Sequence, residues 1–504
     1  MIRRLKLVWM VAFAFVSAVV LLPSLASAGH PFLTPQPPFI TLTVAGTVTP
    51  IISSGETYHD FLFEGIPDGI GLAPGTGGSG TVDVYVTHEQ THVPFFGSAD
   101  FQDASVSRLT LDTATGAVLS ADVAIPPTAG FLRFCSASMA GPAEGFSRFT
   151  FFANEEANDV VPVPAGAPYG ADPAVAPNRQ AGYTVALDVA SGAFIQINGM
   201  GRLNHENTVV VPGGWSRIAV LTTDDTFSGP SAQLYLYLAS HEDHIWQDKG
   251  GLWAFRVTRT DEGPVTPTDP FNEANDYLDL QPGDDWQGEF IRVPKKIAEG
   301  QTGDLPQTAL EDWSNEHNVF QFIRLEDLAY DKNHPRTVYI ADTGRTRVIP
   351  DPETGRMQRG PGGTTGQADN GSIFKMVFNQ ANPRKVDSFS VLAQGDDSSA
   401  DLFVPMINPD NMDTSVNSLM VQEDADDARI WHFDFGTTWT VVATVDDPDG
   451  ESSGIVDASE WFGSGSWVLD VQGHGMNVAE EVQPDGTLLK RESGQLMLMT
   501  IPGS

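Results

Sequence analysis

Carboxylates stand at the mouths of short apolar runs in several distant parts of this sequence. Arg324, Glu326 and Asp327 open the run Leu328 to Tyr330, and Asp342 closes the next run, Thr337 to Ala341. Asp410 precedes Leu419 to Val421 with Glu423 and Asp424 behind it, and Asp68 precedes Val82 to Val86 with Glu89 behind it. Asp457 before Trp467 to Asp470 is a fainter copy. Spaced this way, the acids read as repeats of one unit, each delivering oxygen donors to a shared place. Gathered there, carboxylates repel one another unless cations lie among them. Hard oxygen ligands without a histidine cluster favour calcium or a similar ion.

Three His-Glu pairs, His88-Glu89, His205-Glu206 and His241-Glu242, add a second pattern. Neighbouring strand residues point to opposite faces, so one pair does not readily supply two ligands to one ion. The expectation is Glu toward the metal and His into the packing. Cys135 is the single cysteine, so no intrachain disulfide can form. It is either buried and inert or held as a thiolate by a metal. For Asp68 or Asp224 alone, an ordinary turn carboxylate is the simpler expectation. No zincin helix spacing, Gly-x-Ser-x-Gly elbow or P-loop is present.

The elements that must position these groups read as all-β. Short β-branched and aromatic runs alternate with turn residues, helical periodicity is scarce, and no long linker divides the chain. Many short strands in one long chain predict a β-propeller, six-bladed, with inserted loops at 158–177, 271–310 and 347–370. A β-sandwich or two stacked β-domains is the alternative. Residues 1–28 are expected to be a signal peptide. Arg3, Arg4 and Lys6 precede an apolar stretch to Leu22, and Ala26-Ser27-Ala28 is a cleavage signature. A permanent anchor fits less well, because the apolar run is short. The expected mature domain is 29–504, exported to the periplasm or outside the cell, by the general secretory or twin-arginine route.

The full chain holds 28 basic and 65 acidic residues. Loss of the leader's three positive charges leaves a net of −40. Such a chain repels nucleic acid and anionic membranes and attracts cations. Its surface charge also disfavours casual self-association, so a monomer is expected.

Cys135-Ser136 with Glu155-Glu156, Gly201-Arg202 to Asn207, Thr223-Asp224-Asp225, Phe322 to Asp327, and Pro409-Asp410-Asn411 with Glu423-Asp424 together resemble the PhoX family of exported alkaline phosphatases. The likeness runs over roughly residues 130–430. Arg324-Leu325-Glu326-Asp327 stands where that family has Arg-Pro-Glu-Asp, and its Trp-Gly-Thr-Trp-like stretch has no counterpart after Cys135. The resemblance implies a six-bladed propeller holding calcium and iron in its channel and hydrolysing small phosphate monoesters. It implies Cys135, Glu206, Glu326, Asp410 and Glu423 as metal ligands, Arg324 and Glu326 as catalytic residues, and Arg324 and Arg202 as phosphate binders. The alternatives are a calcium-dependent lactonase-type hydrolase and a non-enzymatic, calcium-stiffened binding propeller.

Overall fold

The computed structural model describes residues 30–90, 103–226, 232–266, 274–477, 481–482, 488–489 and 492–504. The expected signal peptide lies outside them. Among the described residues, no helix is long and apolar enough to cross a membrane.

Six strands line a central axis: Pro67–Pro74, Phe134–Ala140, His205–Val211, Leu325–Tyr330, Pro409–Thr414 and Glu451–Asp457. Each packs against the next, and the sixth returns to the first, so the ring is closed. From each inner strand an antiparallel sheet runs outward, as in Pro67–Pro74, Thr81–His88, Ser105–Asp112 and Val118–Ile125. The β-propeller expected from the strand pattern is therefore the observed fold. Closure joins the two ends of the chain: Thr47–Ser53 pairs with Glu492–Thr500, which also pairs with Ser466–Asn477. A closed ring leaves no long exposed edge, which is how so many short strands stay in one unit.

The apolar core lies between neighbouring sheets. Tyr85 and Val106 of the first sheet pack with Phe134, Phe151 and Val185 of the second, and the Tyr85 and Phe151 rings sit 5.5 Å apart. Burying each such ring contributes roughly 1.5–3 kcal/mol. Near the axis the strands need small residues. A Cβ on Gly69 would lie 2.1 Å from the Ala137 nitrogen, and one on Gly454 would lie 2.1 Å from the Asp68 oxygen.

One irregularity recurs in all six sheets. The pairing of each inner strand with its neighbour slips by one residue between Pro67 and Ile70, Phe134 and Ala137, His205 and Thr208, Leu325 and Leu328, Pro409 and Met412, and Ser452 and Ile455. Three steps on the inner strand oppose two on its partner, which is a β-bulge, and bulges re-aim side chains. The residues in these bulges are Asp68-Gly69, Cys135-Ser136, Glu206-Asn207, Glu326-Asp327, Asp410-Asn411 and Ser453-Gly454.

The expected insertions lie outside this ring. Residues 347–370 carry the small hairpin Val348–Pro350 with Met357–Arg359, and residues 158–177 lead from Val160–Pro162 toward Asn178–Gln180. The described part of 271–310 includes the strand Trp286–Arg292 and enters the helix Pro306–Glu316, the one substantial helix among the described residues.

Candidate metal centre

The bulges bring five separated residues to equivalent positions around the axis: Asp68, Cys135, Glu206, Glu326 and Asp410. Their donor atoms, with two more carboxylates, form three overlapping groups. Asp68, Glu89 and Cys135 make one, Cys135, Glu156 and Glu206 the next, and Glu206, Glu326 and Asp410 the third. Within each group the donor atoms all lie within 4.8 Å of one another. Consecutive groups share Cys135 and then Glu206, so the donors follow one arc around the channel.

The second strand of each sheet supplies a second tier. The residues just beyond His88, Glu155, Asp224, Asp342 and Glu423 are Glu89, Glu156, Asp225, Thr343 and Asp424, and Gln472 is their counterpart opposite Glu451. Gln472 donates to Asp68 at 3.0 Å and to Glu89 at 3.3 Å. Asp225 takes both Nε and Nη2 of Arg324, at 2.8 and 2.5 Å, and Arg324 lies 3.3 Å from Glu326. Arg133 precedes its inner strand as Arg324 does, and binds the Glu156 carbonyl oxygen at 2.9 Å and Asp159 at 2.6 Å. Beneath the donors, Asn207 bonds Asp327, and the Met412 N–H donates to Asp327 at 2.8 Å, tying three inner strands together.

Electrostatics make the arrangement demanding. Burial first, and then the charges of the neighbouring acids, push Asp68, Glu156, Glu206, Glu326 and Asp410 well above the usual carboxylate range. Burial and the nearby Asp68 and Glu206 charges likewise raise the Cys135 thiol. Its Sγ donates to Asp68 Oδ2 at 3.5 Å. Oxygens Oε1 of Glu156, Oε1 of Glu206 and Oδ1 of Asp410 are buried with no hydrogen-bond partner. Unpartnered buried carboxylate oxygens are costly, and a bound cation satisfies them. The donor set therefore fits hard cations, with one thiol able to take a softer ion such as iron.

Of the expected metal residues, the structure brings together Cys135, Glu206, Glu326 and Asp410. Glu423 is not among them. The strand register turns it away from the axis, where it accepts from the Ile407 N–H at 2.8 Å, Trp431 Nε1 at 2.9 Å and Arg429 Nε at 2.8 Å. Its neighbour Asp424 is the axial residue, interacting with Glu451 and Arg324. Glu155 has a similar task, accepting from the Leu132 N–H and pairing with Arg179, which leaves Glu156 to the cluster. An acid that anchors the turn before an inner strand is followed by one that faces the channel. No composition signal separates the two; the register does.

Arg202 is also placed away from the site. It is buried against Asp172, with 2.7 and 3.1 Å bonds, and its guanidinium carbon lies 3.7 Å from the Tyr183 ring centroid. Asp457 is the third departure. The sixth bulge carries Ser453 instead, and Asp457 lies at the other end of the channel. There it pairs with Lys332 at 2.8 Å, beside a cavity of about 760 Å³ lined in part by Tyr330 and Trp461.

The His-Glu pairs divide as expected where they reach the channel. His88 bonds the Gly65 carbonyl and Ser107, and His205 bonds Thr222 and the Gly201 carbonyl. Burial lowers their pKa values to about 4 and about 3, so both are neutral packing residues at pH 7. Glu242 instead binds Arg148 on the periphery, and Asp224 bonds Thr226 and Gln307, a structural role.

These placements separate structural from axial acids experimentally. Glu423→Gln should lower unfolding free energy by ~3 kcal/mol, because Arg429 loses its partner carboxylate, while the metal content stays as in the parent protein. Asp410→Asn, which removes a donor of the third group, should alter metal content instead. Denaturant melts and elemental analysis of both variants check the contrast.

Neither a protein-family profile nor a curated protein sequence matches the chain. Solved structures do. PhoX of Pseudomonas fluorescens, in complex with vanadate, a transition state analogue, is similar over 94% of this chain and 97% of its own, with 13% identity and a TM-score of 0.60. A putative oxidoreductase (glucose dehydrogenase) of Thermus thermophilus covers 90% of this chain and 100% of its own at 11% identity and a TM-score of 0.36. The α-L-arabinofuranosidase PaAbf62A of Podospora anserina covers 93% and 99% at 9% identity and a TM-score of 0.33. The first of these likenesses establishes architecture: the chain is a β-propeller of PhoX-like fold.

Proposed function

We propose that this protein is an exported, metal-dependent hydrolase of small phosphate monoesters, working as a monomer at the acidic end of its channel. The single observation that carries the reading is the shared bulge. It sets Asp68, Cys135, Glu206, Glu326 and Asp410 around one axis, with Arg324 fixed beside them. A ring of acids alone attracts cations; a ring of acids with a braced guanidinium at its edge also suits an anion that the cations neutralise.

Cys135, Glu156, Glu206, Glu326 and Asp410 would hold the metals, with Asp68 and Glu89 at one end of the arc. Calcium and iron, when bound, supply Lewis-acid polarisation of the phosphoryl group and stabilise its developing charge. The protein's own share is positioning, since phosphoryl transfer asks little covalent chemistry of side chains. Arg324 binds and orients the equatorial phosphoryl oxygens, and Asp225 holds the guanidinium plane through two hydrogen bonds. Glu326, 3.3 Å from Arg324, ties that binding residue to the ligand group it shares with Glu206 and Asp410. The Asn207–Asp327–Met412 network fixes the three inner strands that carry Glu206, Glu326 and Asp410 relative to one another.

The test is purification from iron- and calcium-replete cells, elemental analysis, and assay of a chromogenic phosphate monoester with and without chelator. Iron retained with calcium, and turnover lost on chelation, support the proposal. Turnover indifferent to chelator sinks the mechanism. Calcium alone with lactone turnover, or stability gained from calcium without any turnover, assigns the scaffold to another role.

A further inference from the structure

The hairpin inserted beside Arg324 concentrates positive charge in a strongly acidic protein. Backbone bonds bring it there: the Thr343 N–H donates to the Arg324 carbonyl at 3.0 Å, so residues 343–345 run alongside Arg324. Gly344 then turns with φ +71, and a Cβ there would lie 2.5 Å from the Ala368 oxygen. The Arg345 N–H donates to that same oxygen at 2.9 Å. Val348 pairs with Arg359 across the hairpin, and the Gly360 N–H donates to the Arg347 carbonyl at 2.8 Å. Arg345, Arg347 and Arg359 are thus gathered at the base of one hairpin, next to Arg324.

Arg108, Arg133, Arg148, Arg179, Arg202, Arg256, Arg324 and Arg429 each pair with a carboxylate. Among the described residues, Arg345, Arg347 and Arg359 form no ion pair, although the chain has 65 acids to 28 bases. Other arginines such as Arg217 and Arg336 also lack a carboxylate partner among them; what sets Arg345, Arg347 and Arg359 apart is that the three lie close together beside Arg324. Arg345 Nε is buried without a hydrogen-bond partner. Burial and the nearby charges of Arg359, Arg324 and Arg347 lower the Arg345 guanidinium pKa, a repulsion that a bound anion would relieve. The acid ring is also interrupted on this side. Thr343 occupies the upper-tier position that is Asp225 in the preceding sheet and Asp424 in the following one.

We propose that Arg345, Arg347 and Arg359 form a second anion subsite, which receives an anionic group on the leaving group of the ester. The proposal rests on the phosphate-ester reading. With the reacting phosphoryl at Arg324, a carboxylate or second phosphate farther along the substrate meets the hairpin. Guanidinium forks match both oxyanions with paired hydrogen bonds. The substrate class is then a phosphate monoester with a further negative charge, selected over esters of neutral alcohols.

Binding of phenylphosphonate and 4-carboxyphenylphosphonate to the metal-replete protein tests this by calorimetry. Parallel kcat/KM values for the two corresponding phosphate esters complete the test. The added carboxylate should improve binding about 10- to 100-fold. Arg345→Ala combined with Arg359→Ala should erase that gain while leaving phenylphosphonate affinity unchanged. The exposed single change Arg359→Glu should diminish it without a change in melting temperature. Equal or absent binding of the two phosphonates by the parent protein overturns the subsite, as does a gain that survives in the double variant. Discrimination between the phosphonates without turnover of either ester leaves the subsite standing and removes the phosphatase reading instead.

Discussion

Arg324→Ala should lower kcat/KM for a phosphate monoester roughly 10³-fold, the scale set by removing a preorganised donor or an arginine from a phosphoryl-transfer site. The geometry also predicts a side effect. Asp225 is buried and spends both oxygens on Arg324. Without that partner it adds an unpaired charge beside Glu156 and Glu326, at a cost of about 3–5 kcal/mol. Adding Asp225→Asn to the same chain should restore the melting temperature but not the rate. Arg324→Lys keeps a charge but loses the planar fork, so its rate should fall between the two. Full activity in a well-folded Arg324→Ala protein would remove Arg324 from the mechanism.

The second large effect is on stability. In the metal-free protein, Asp68, Glu156, Glu206, Glu326 and Asp410 have folded pKa values well above those of the unfolded chain, and Glu89 is pushed up to about 7, chiefly by burial. A group shifted upward binds more protons folded than unfolded. Its contribution is therefore fully present below its unfolded pKa and lost as pH rises through the folded value. The chelated protein should lose stability steadily from about pH 4 through pH 7 and above. Bound cations reverse this, because they hold the ionised form. At about 1,000 times its Kd a single ion adds about 4 kcal/mol. Melting curves from pH 5 to pH 8 should thus fall with pH in chelator and stay nearly level with calcium and iron present. Parallel curves in the two conditions would mean that the acids are not held by metal.

Much of this centre was legible in the chain. Repeated acids before apolar runs pointed to convergence at one place, because a closed all-β ring brings every inner strand to one axis. The choice of Glu over His in His205-Glu206 followed from alternation along a strand. Glu423 shows where that kind of reading stops. Glu423-Asp424 and Glu155-Glu156 are both adjacent acids, and in each the second faces the channel while the first anchors a turn. Arg202 was equally ambiguous, since an Arg beside a ligand-bearing strand can serve a substrate or, as here, a buried Asp172. Asp457 misled because Trp467 to Asp470 resembles the other second strands, whereas the sixth bulge falls at Ser453.

Taken alone, the amino-acid sequence determined an all-β chain with a heavily acidic balance, and the residue types available for hard cations. These depend on local preference and composition, which are present in every short window. Only the tertiary structure decided which acid of each pair reaches the axis. That choice follows from a one-residue slip repeated in six strand pairings, a property of backbone hydrogen bonds between segments distant in sequence. The hairpin arginines became significant for the same reason: their nearness to Arg324 comes from paired backbone, not from their spacing along the chain.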